Sequence, residues 1–202
     1  MSPEDRRRPQ EATIVAPPPG SVADLFAEAL PGLEMTPMQG ALDVIIQIGR
    51  DDAHRVLEAA KHNDKLAFDF LRNLSGVDYE EQGLEVVYHL YSFKHRHNIT
   101  IRAKVPAEDA RIQSATDLWR AADWHEREAR DMFGIDFEGH PNLVPILLPD
   151  DMLDHFPLRK DNPLAPLEEW QGEILGPKMG DAGYIPPGSG FEATPAAEGE
   201  EA

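Results

Sequence analysis

Six consecutive residues, Glu126-Arg127-Glu128-Ala129-Arg130-Asp131, form the densest run of ionisable side chains in the sequence. Carboxylates this close together can do general acid–base work when their surroundings drive the pKa values apart. The spacing argues for a different use. Glu126 and Arg130 are four residues apart, as are Arg127 and Asp131, so on a helix each pair shares a face and neutralises itself. Asp123 and Glu126 stand three apart in D-W-H-E, the N-cap and N3 positions of a capping-box-like pattern, which already gives Glu126 an occupation. The expectation is an ion-paired helix face used structurally or at an interface.

Other candidates for chemistry fall short in the same way. The histidines at 89, 95, 97, 125, 140 and 155 invite a metal reading. No H-E-x-x-H occurs, however, and His95 and His97 fall in a loop-like stretch. Asp150, Asp151 and Asp154 lack the D-x-D-x-D-G pattern of a calcium loop. Gly139-His140-Pro141 has neither a G-x-G-x-x-G context nor a following helix to hold phosphate. The chain has no cysteine. It therefore has no thiolate nucleophile, no disulfide, and no thiolate ligand for zinc or an iron–sulfur cluster. Arg159-Lys160-Asp161 is a basic island in an acidic chain. It reads either as a solvated turn or as a contact to a partner's carboxylate, where Arg binds bidentately. The residues predict no catalytic, cofactor-binding or metal site.

The elements that must carry these groups follow from hydrophobic period and punctuation. Ser21 caps a short helix with Leu25, Phe26, Ala29 and Leu30 on one face, stopped by Pro31-Gly32. Leu42 to Ile48 alternates as a strand and Gly49 ends it. A helix capped by Asp51 or Asp52 turns Ala53, Val56, Leu57 and Ala60 inward. The spacing of Leu66, Phe70, Leu71 and Leu74 predicts a second helix over 65–74, closed by Gly76. Leu84 to Phe93 and His97 to Val105 alternate as two strands around a hairpin loop, Phe93 to Arg96. Thr116 to Arg120 reads as a helical turn. The helix from Asp123 carries Trp124, Glu128, Ala129, Met132 and Phe133 on one side. Gly134 at C′ and Ile135 at C″ give it a Schellman stop. The fold class is α+β: helices packed on a small mixed or antiparallel sheet, followed by an extended Pro-rich C-terminal segment.

Composition sets the boundaries. Of 18 prolines, ten follow residue 140, so no long regular element forms there. Yet Leu143, Ile146, Leu147, Leu148, Leu153, Phe156 and Leu158 are too apolar for a loose tail. They need a surface to lie on, either this domain or another subunit. The organisation read from these features is a flexible arm at 1–20, an α+β domain at 21–138, an extended partner-wrapping segment at 139–175 and a loose acidic tail at 176–202. A net charge of −18 disfavours nucleic acid and anionic membrane surfaces and suits a basic protein partner. No apolar run reaches about 18 residues, so no transmembrane helix is expected. Arg6-Arg7-Arg8 lacks an apolar segment after it, so no signal peptide is expected either.

Read together, W-H-E-R-E-A-R-D-M-F-G-I at Trp124 to Ile135, F-E-G-H-P at Phe137 to Pro141, I-L-L-P-D-D at Ile146 to Asp151 and P-L-R-K-D at Pro157 to Asp161 resemble the signature of the 30-kDa-type subunit family of NADH:quinone oxidoreductase, respiratory complex I. Gly76-Val77-Asp78-Tyr79 and Val87 to Ser92 are similar to that family as well, so the likeness runs from about Leu66 to Leu164. Departures lie in the extension. The family has an Arg pair where Val144-Pro145 stands, Trp near Met152, Gly near His155 and Tyr at the place of Asn162, while Phe156 is inserted or substituted.

The resemblance implies a structural subunit of the peripheral arm of a proton-translocating complex. It implies no catalytic group on this chain, with NAD, FMN, the iron–sulfur clusters and quinone handled by other subunits. It places the chain beside the 49-kDa-type subunit and neighbouring iron–sulfur subunits, on the cytoplasmic face of a bacterial membrane, reached only through the complex. The signature and interface residues carried over are Glu126, Arg127, Glu128, Asp131, Phe133, Gly134, Gly139, His140, Pro141, Pro157, Leu158, Arg159, Lys160 and Asp161. The alternatives are the equivalent subunit of a ferredoxin-dependent or hydrogenase-type membrane complex, or a free acidic adaptor.

Overall fold

The computed structural model describes residues 15–149, 152 and 155–162. In chain order its elements are α1 (Val22–Ala29), β1 (Thr36–Gln39), β2 (Val44–Gly49), α2 (Arg50–His62), β3 (Phe70–Asp78), β4 (Leu84–Ser92), β5 (His97–Val105), β6 (Arg111–Gln113), α3 (Ala122–Phe133) and β7 (Asp136–Glu138). Strands β1 to β5 form one sheet in the order β1-β2-β5-β4-β3, while β6 and β7 pair as a separate two-stranded ribbon. All neighbours in the large sheet are antiparallel except β2 and β5, so the sheet is mixed, as the α+β reading expects.

The sheet is organised by the two strands whose alternation is cleanest. Leu84, Val86, Tyr88 and Leu90 of β4, with Ile99, Ile101, Ala103 and Val105 of β5, face one way and are buried. Against them lie Phe26 of α1 and the predicted face of α2, Ala53, Val56, Leu57 and Ala60, all inaccessible to solvent. Each large apolar side chain buried in this layer contributes about 1.5–3 kcal/mol. The hairpin closes through Arg96, whose N–H donates to Ser92 O at 2.8 Å.

Two sequence expectations need correction here. Residues 65–74 are not a helix: Phe70–Asp78 is a nine-residue strand on the sheet's edge. A β-bulge at Arg72 explains the helical appearance. Leu71 pairs with Leu90 and Leu74 with Tyr88, because the register shifts between Leu71 and Asn73. The extra residue puts two side chains three positions apart on the same, helix-facing side, which imitates helical spacing. Phe70, expected inward, is half exposed. The strand expected over Leu42 to Ile48 begins at Val44, and Leu42 lies out in the preceding loop. The expectations for residues 1–14 and for 163–202 lie outside the described residues.

Helix α3 crosses β3 at Gly76, where the Phe133 ring sits on the strand. A Cβ added at Gly76 would meet ring carbons at 2.5, 2.9 and 3.1 Å. The aromatic ring and the β3 backbone are both held, so neither yields cheaply. Gly76→Ala is expected to cost about 1–3 kcal/mol by overpacking. Urea unfolding should show this as a lower midpoint at an unchanged m-value; an unshifted midpoint would mean that Phe133 moves freely.

Candidate functional site

Helix α3 carries the charged signature, and its buried side is unusual. Ala122 and Ala129 are buried as helix-packing residues should be, but so are Glu126, at 0% exposure, and Asp131, at 2%. Of the residues expected to share one side, Trp124 and Glu128 face solvent, while Ala129 is buried and Met132 and Phe133 are half-buried.

Neither expected use of Glu126 is found. The helix starts at Ala122 with Ala121 as N-cap and no side-chain cap, so the Asp123–Glu126 capping box does not form. Glu126 turns inward because its carboxylate has a better offer there. The Ala115 N–H donates to Oε1 at 2.7 Å and the Ser114 hydroxyl donates to Oε2 at 2.7 Å. Ser114 also lies 2.8 Å from Thr116 Oγ1. Glu126 thus pins the turn that follows β6. No cation among the described residues pairs with it. Burial pushes its pKa up to about 7, against the pull of the Ser114 and Ala115 hydrogen bonds, with the negative charges of Asp117 and Asp123 adding to the rise. Tyr88, wholly buried with its hydroxyl unpartnered, has its own pKa raised by burial and then by the charge of Glu126.

The predicted 126/130 and 127/131 ion pairs are also absent. Arg127 and Asp131 do share a face, but both reach past each other to the main chain of the extension. Arg127 Nε donates to Val144 O at 2.8 Å and its Nη2 to Pro145 O at 3.5 Å. Asp131 Oδ2 accepts the N–H groups of Ile146, Leu147 and Leu148 at 2.9, 2.8 and 3.3 Å. Five successive residues without regular structure thereby have their backbone polar groups met by two side chains one helical turn apart. Arg127 also stacks on Trp124, 5.2 Å from the ring centroid.

The C-terminal end of α3 fastens a second stretch. Gly134 ends the helix at φ 69°, its N–H donating to Arg130 O at 2.8 Å, and buried Ile135 follows. The last carbonyls, orphaned at any helix end, are taken by the extension: Leu158 N–H donates to Met132 O at 3.1 Å and Arg159 Nε to Phe133 O at 2.6 Å. Phe156 lies over Gly134, where a Cβ would stand 2.6 Å from its ring, and the Arg159 guanidinium covers the same ring at 4.9 Å. Lys160 donates its N–H to Asp78 Oδ2 at 3.0 Å and pairs with Glu80 at 3.4 Å. The basic island therefore binds this domain's own carbonyl and carboxylates.

His140, inaccessible at its side chain, takes the Asn142 N–H on Nδ1 at 3.0 Å. Its Nε2 then carries the proton and meets Asp123 O at 3.2 Å and Asp123 Oδ1 at 3.3 Å. This contact holds the Gly139-His140-Pro141 turn to the start of α3. Pro157 is half-buried, and Leu158, Pro141, Asp161 and Glu128 are exposed. Among the described residues no group of three or more His, Asp or Glu side chains converges as a metal site would require. Sequence reasoning missed Ser114, Ala115 and Asp78 as partners of the signature. Their contacts cross 11 to 82 residues, and no local pattern marks them.

Fold and site together define a class: an α+β domain whose charged signature helix lashes a proline-rich segment back across its own surface. The chain belongs to the family described as respiratory-chain NADH dehydrogenase, 30 Kd subunit, whose model matches residues 46–168. It is 45% identical over 141 residues to the C-type subunit of NADH-quinone oxidoreductase from Citrifermentans bemidjiense, an alignment spanning 69% of this chain and 83% of that one. It is 37% identical over 150 residues to the C-type subunit of F(420)H(2) dehydrogenase from Methanosarcina mazei, spanning 74% and 89%. Among solved structures, the trypsin-resistant fragment (1-134) of Nqo5 matches with a TM-score of 0.50 at 31% identity, covering 60% of this chain and 98% of that fragment. No helix among the described residues is long and apolar enough to cross a membrane.

Proposed function

We propose that this chain is an assembly subunit, holding no redox group of its own, of the peripheral arm of a proton-translocating NADH:quinone oxidoreductase. In this reading it lies beside the 49-kDa-type subunit and neighbouring iron–sulfur subunits of the quinone-reducing module, on the cytoplasmic face. FMN and the clusters sit on other chains. A chain without cysteine has no thiolates with which to ligate a cluster, which fits that division of labour.

One observation carries the reading. The signature's charges and the end of its helix hold residues 144–148 and 158–160 in place, and these stretches turn apolar side chains outward: Val144 is 45% exposed, Leu147 56% and Leu158 55%. With Trp124 at 64% on the adjoining helix, we read them as one apolar ridge for a partner to cover. A partner seated on this ridge meets a pre-ordered segment and avoids the ordering cost. Residues 139–175 are, on this proposal, the partner-wrapping segment.

The likeness to an F(420)H(2) dehydrogenase subunit supports a second reading, the same position in a complex fed by a different donor. Tagging the full chain in its native membranes, solubilising gently and identifying what co-purifies tests both. Recovery of 49-kDa-type and iron–sulfur subunits in fixed ratio is expected, and the input subunits among them name the donor. Recovery of the chain alone, at monomer size, would reject an assembly role.

A further inference from the structure

The helices cover one side of the sheet; on the other, Glu85, Val87 and Thr100 are buried all the same. α1, α2 and α3 all pack on one side, and among the described residues no helix crosses the other. That open side carries the bulged Arg72 of β3, His89 and Tyr91 of β4, and Asn98 and Arg102 of β5. A trough of about 550 Å³ runs over it between Arg72, Asn73, His89 and Asn98, with Leu42 as an exposed lip and Asp43 beside it, its carboxylate accepting from Asn98 Nδ2 at 2.7 Å.

Three features of this face point outward. First, its cations are unmatched. Arg50, Lys65, Lys94, Arg111 and Lys160 each find a carboxylate. Arg72 and Arg102 form no ion pair among the described residues, although Asp43 and Glu85 share this face, and Arg102 Nη1 donates to Tyr79 Oη at 3.5 Å. Second, polar atoms are buried there without partners: Arg102 Nε, and Oε2 of Glu85, a side chain only 5% exposed. Third, an aromatic cluster adjoins the trough, with Phe70 and Phe93 rings 5.6 Å apart and Tyr91 and Phe93 rings 5.0 Å apart. Exposed aromatic rings beside an arginine are what protein interfaces concentrate. Five strands span roughly 20 Å across, and the three nine-residue ones roughly 30 Å along, which approaches one side of a standard interface.

We propose that the open sheet face is a second docking surface, for a neighbouring protein chain that presents carboxylates to Arg72 and Arg102 and an apolar side chain to the Phe70–Tyr91–Phe93 cluster. A second copy of this chain does not fit, because a two-fold pairing would bring unmatched arginines together between two strongly acidic molecules. The inference rests on the assembly reading above and adds a neighbour distinct from the one on the apolar ridge.

The absence of native cysteine makes a clean test. The tagged full chain carrying Asn73→Cys is labelled with a maleimide, free and in the solubilised complex, and the label is read on this chain by mass spectrometry. Labelling at least tenfold slower in the complex is expected. The double variant Arg72→Glu/Arg102→Glu, folded by circular dichroism, should lose one co-purifying neighbour while keeping the others. Equal labelling rates in a complex that does assemble, or a double variant that assembles like the unsubstituted chain, would overturn this docking face and leave the assembly reading intact. A chain that captures itself through this face would overturn the acidic partner. If the unsubstituted chain co-purifies with nothing, both readings fall.

Discussion

Asp131→Ala should free residues 146–148 from the domain while leaving the five-stranded sheet folded. The Asp131 side chain is 1% exposed, and one of its oxygens accepts three successive backbone N–H groups. Hydrogen bonds to a charged acceptor are each worth about 1.5–3 kcal/mol, and sharing one oxygen lowers the sum. Water can replace the lost acceptor once the segment lifts, because Ile146 and Leu148 are only half-buried. A net loss of about 3 kcal/mol in the docked arrangement follows. Amide hydrogen exchange reads it directly: roughly hundredfold faster exchange at Ile146 and Leu147, with β4 and β5 protection kept. Arg127→Ala should do less, about 1 kcal/mol, since its guanidinium is partly solvated. Unchanged exchange at Ile146 would mean that something other than Asp131 holds the extension.

Glu126→Gln should remove a pH dependence that the unsubstituted chain carries. The folded chain holds the Glu126 proton up to about pH 7, whereas the unfolded chain releases it near 4.5. Between those values the folded state binds more protons, so stability falls as pH rises. The contribution is fully present below about pH 4.5 and is lost as pH passes through about 7. A displacement from 4.5 to about 7 corresponds to roughly 3 kcal/mol at about 1.36 kcal/mol per pH unit. Glutamine keeps both contacts in neutral form: its Oε1 accepts the Ala115 N–H and its Nε2 donates to Ser114 Oγ. Urea midpoints for the two proteins should therefore agree near pH 4.5 and diverge toward about pH 8, with the glutamine variant the more stable. A constant difference across that range would mean that Glu126 is ionised throughout.

Much of the architecture is legible in the residues because it is locally encoded. β4 and β5 each keep one apolar face at two-residue spacing, α2 repeats its apolar face at helical spacing, and Gly134 with Ile135 marks the end of α3. β1 escapes sequence reasoning because a four-residue strand containing Pro37, at the sheet's edge, has no period to detect. β3 mimics a helix because a single bulged residue, Arg72, converts a two-residue period into a three-residue one. For the signature, the sequence places Arg127 and Asp131 on one face, and they are there. What local reasoning supplies wrongly is the partner. Spacing proposes that opposite charges four apart satisfy each other. A proline-rich extension competes for those charges and wins, since the carbonyls of Val144 and Pro145 and the N–H groups of Ile146 to Leu148 have no other partner among the described residues. The clue lies in Leu143 to Leu158, apolar residues with no regular element to hold them.

The reach of these contacts also sets an order in time. Lys160 N–H meets Asp78 from 82 residues away, and the carbonyls that Leu158 and Arg159 engage belong to a helix that exists only once α3 has formed on β3. The extension can therefore dock only onto a finished domain, and its contacts belong to the native side of the folding barrier. Weakening them should leave the folding rate of the sheet as it is and speed only the reverse step. During synthesis, the domain can close before residues 144–162 emerge, so the docked stretches of the extension are the last of the described structure to form.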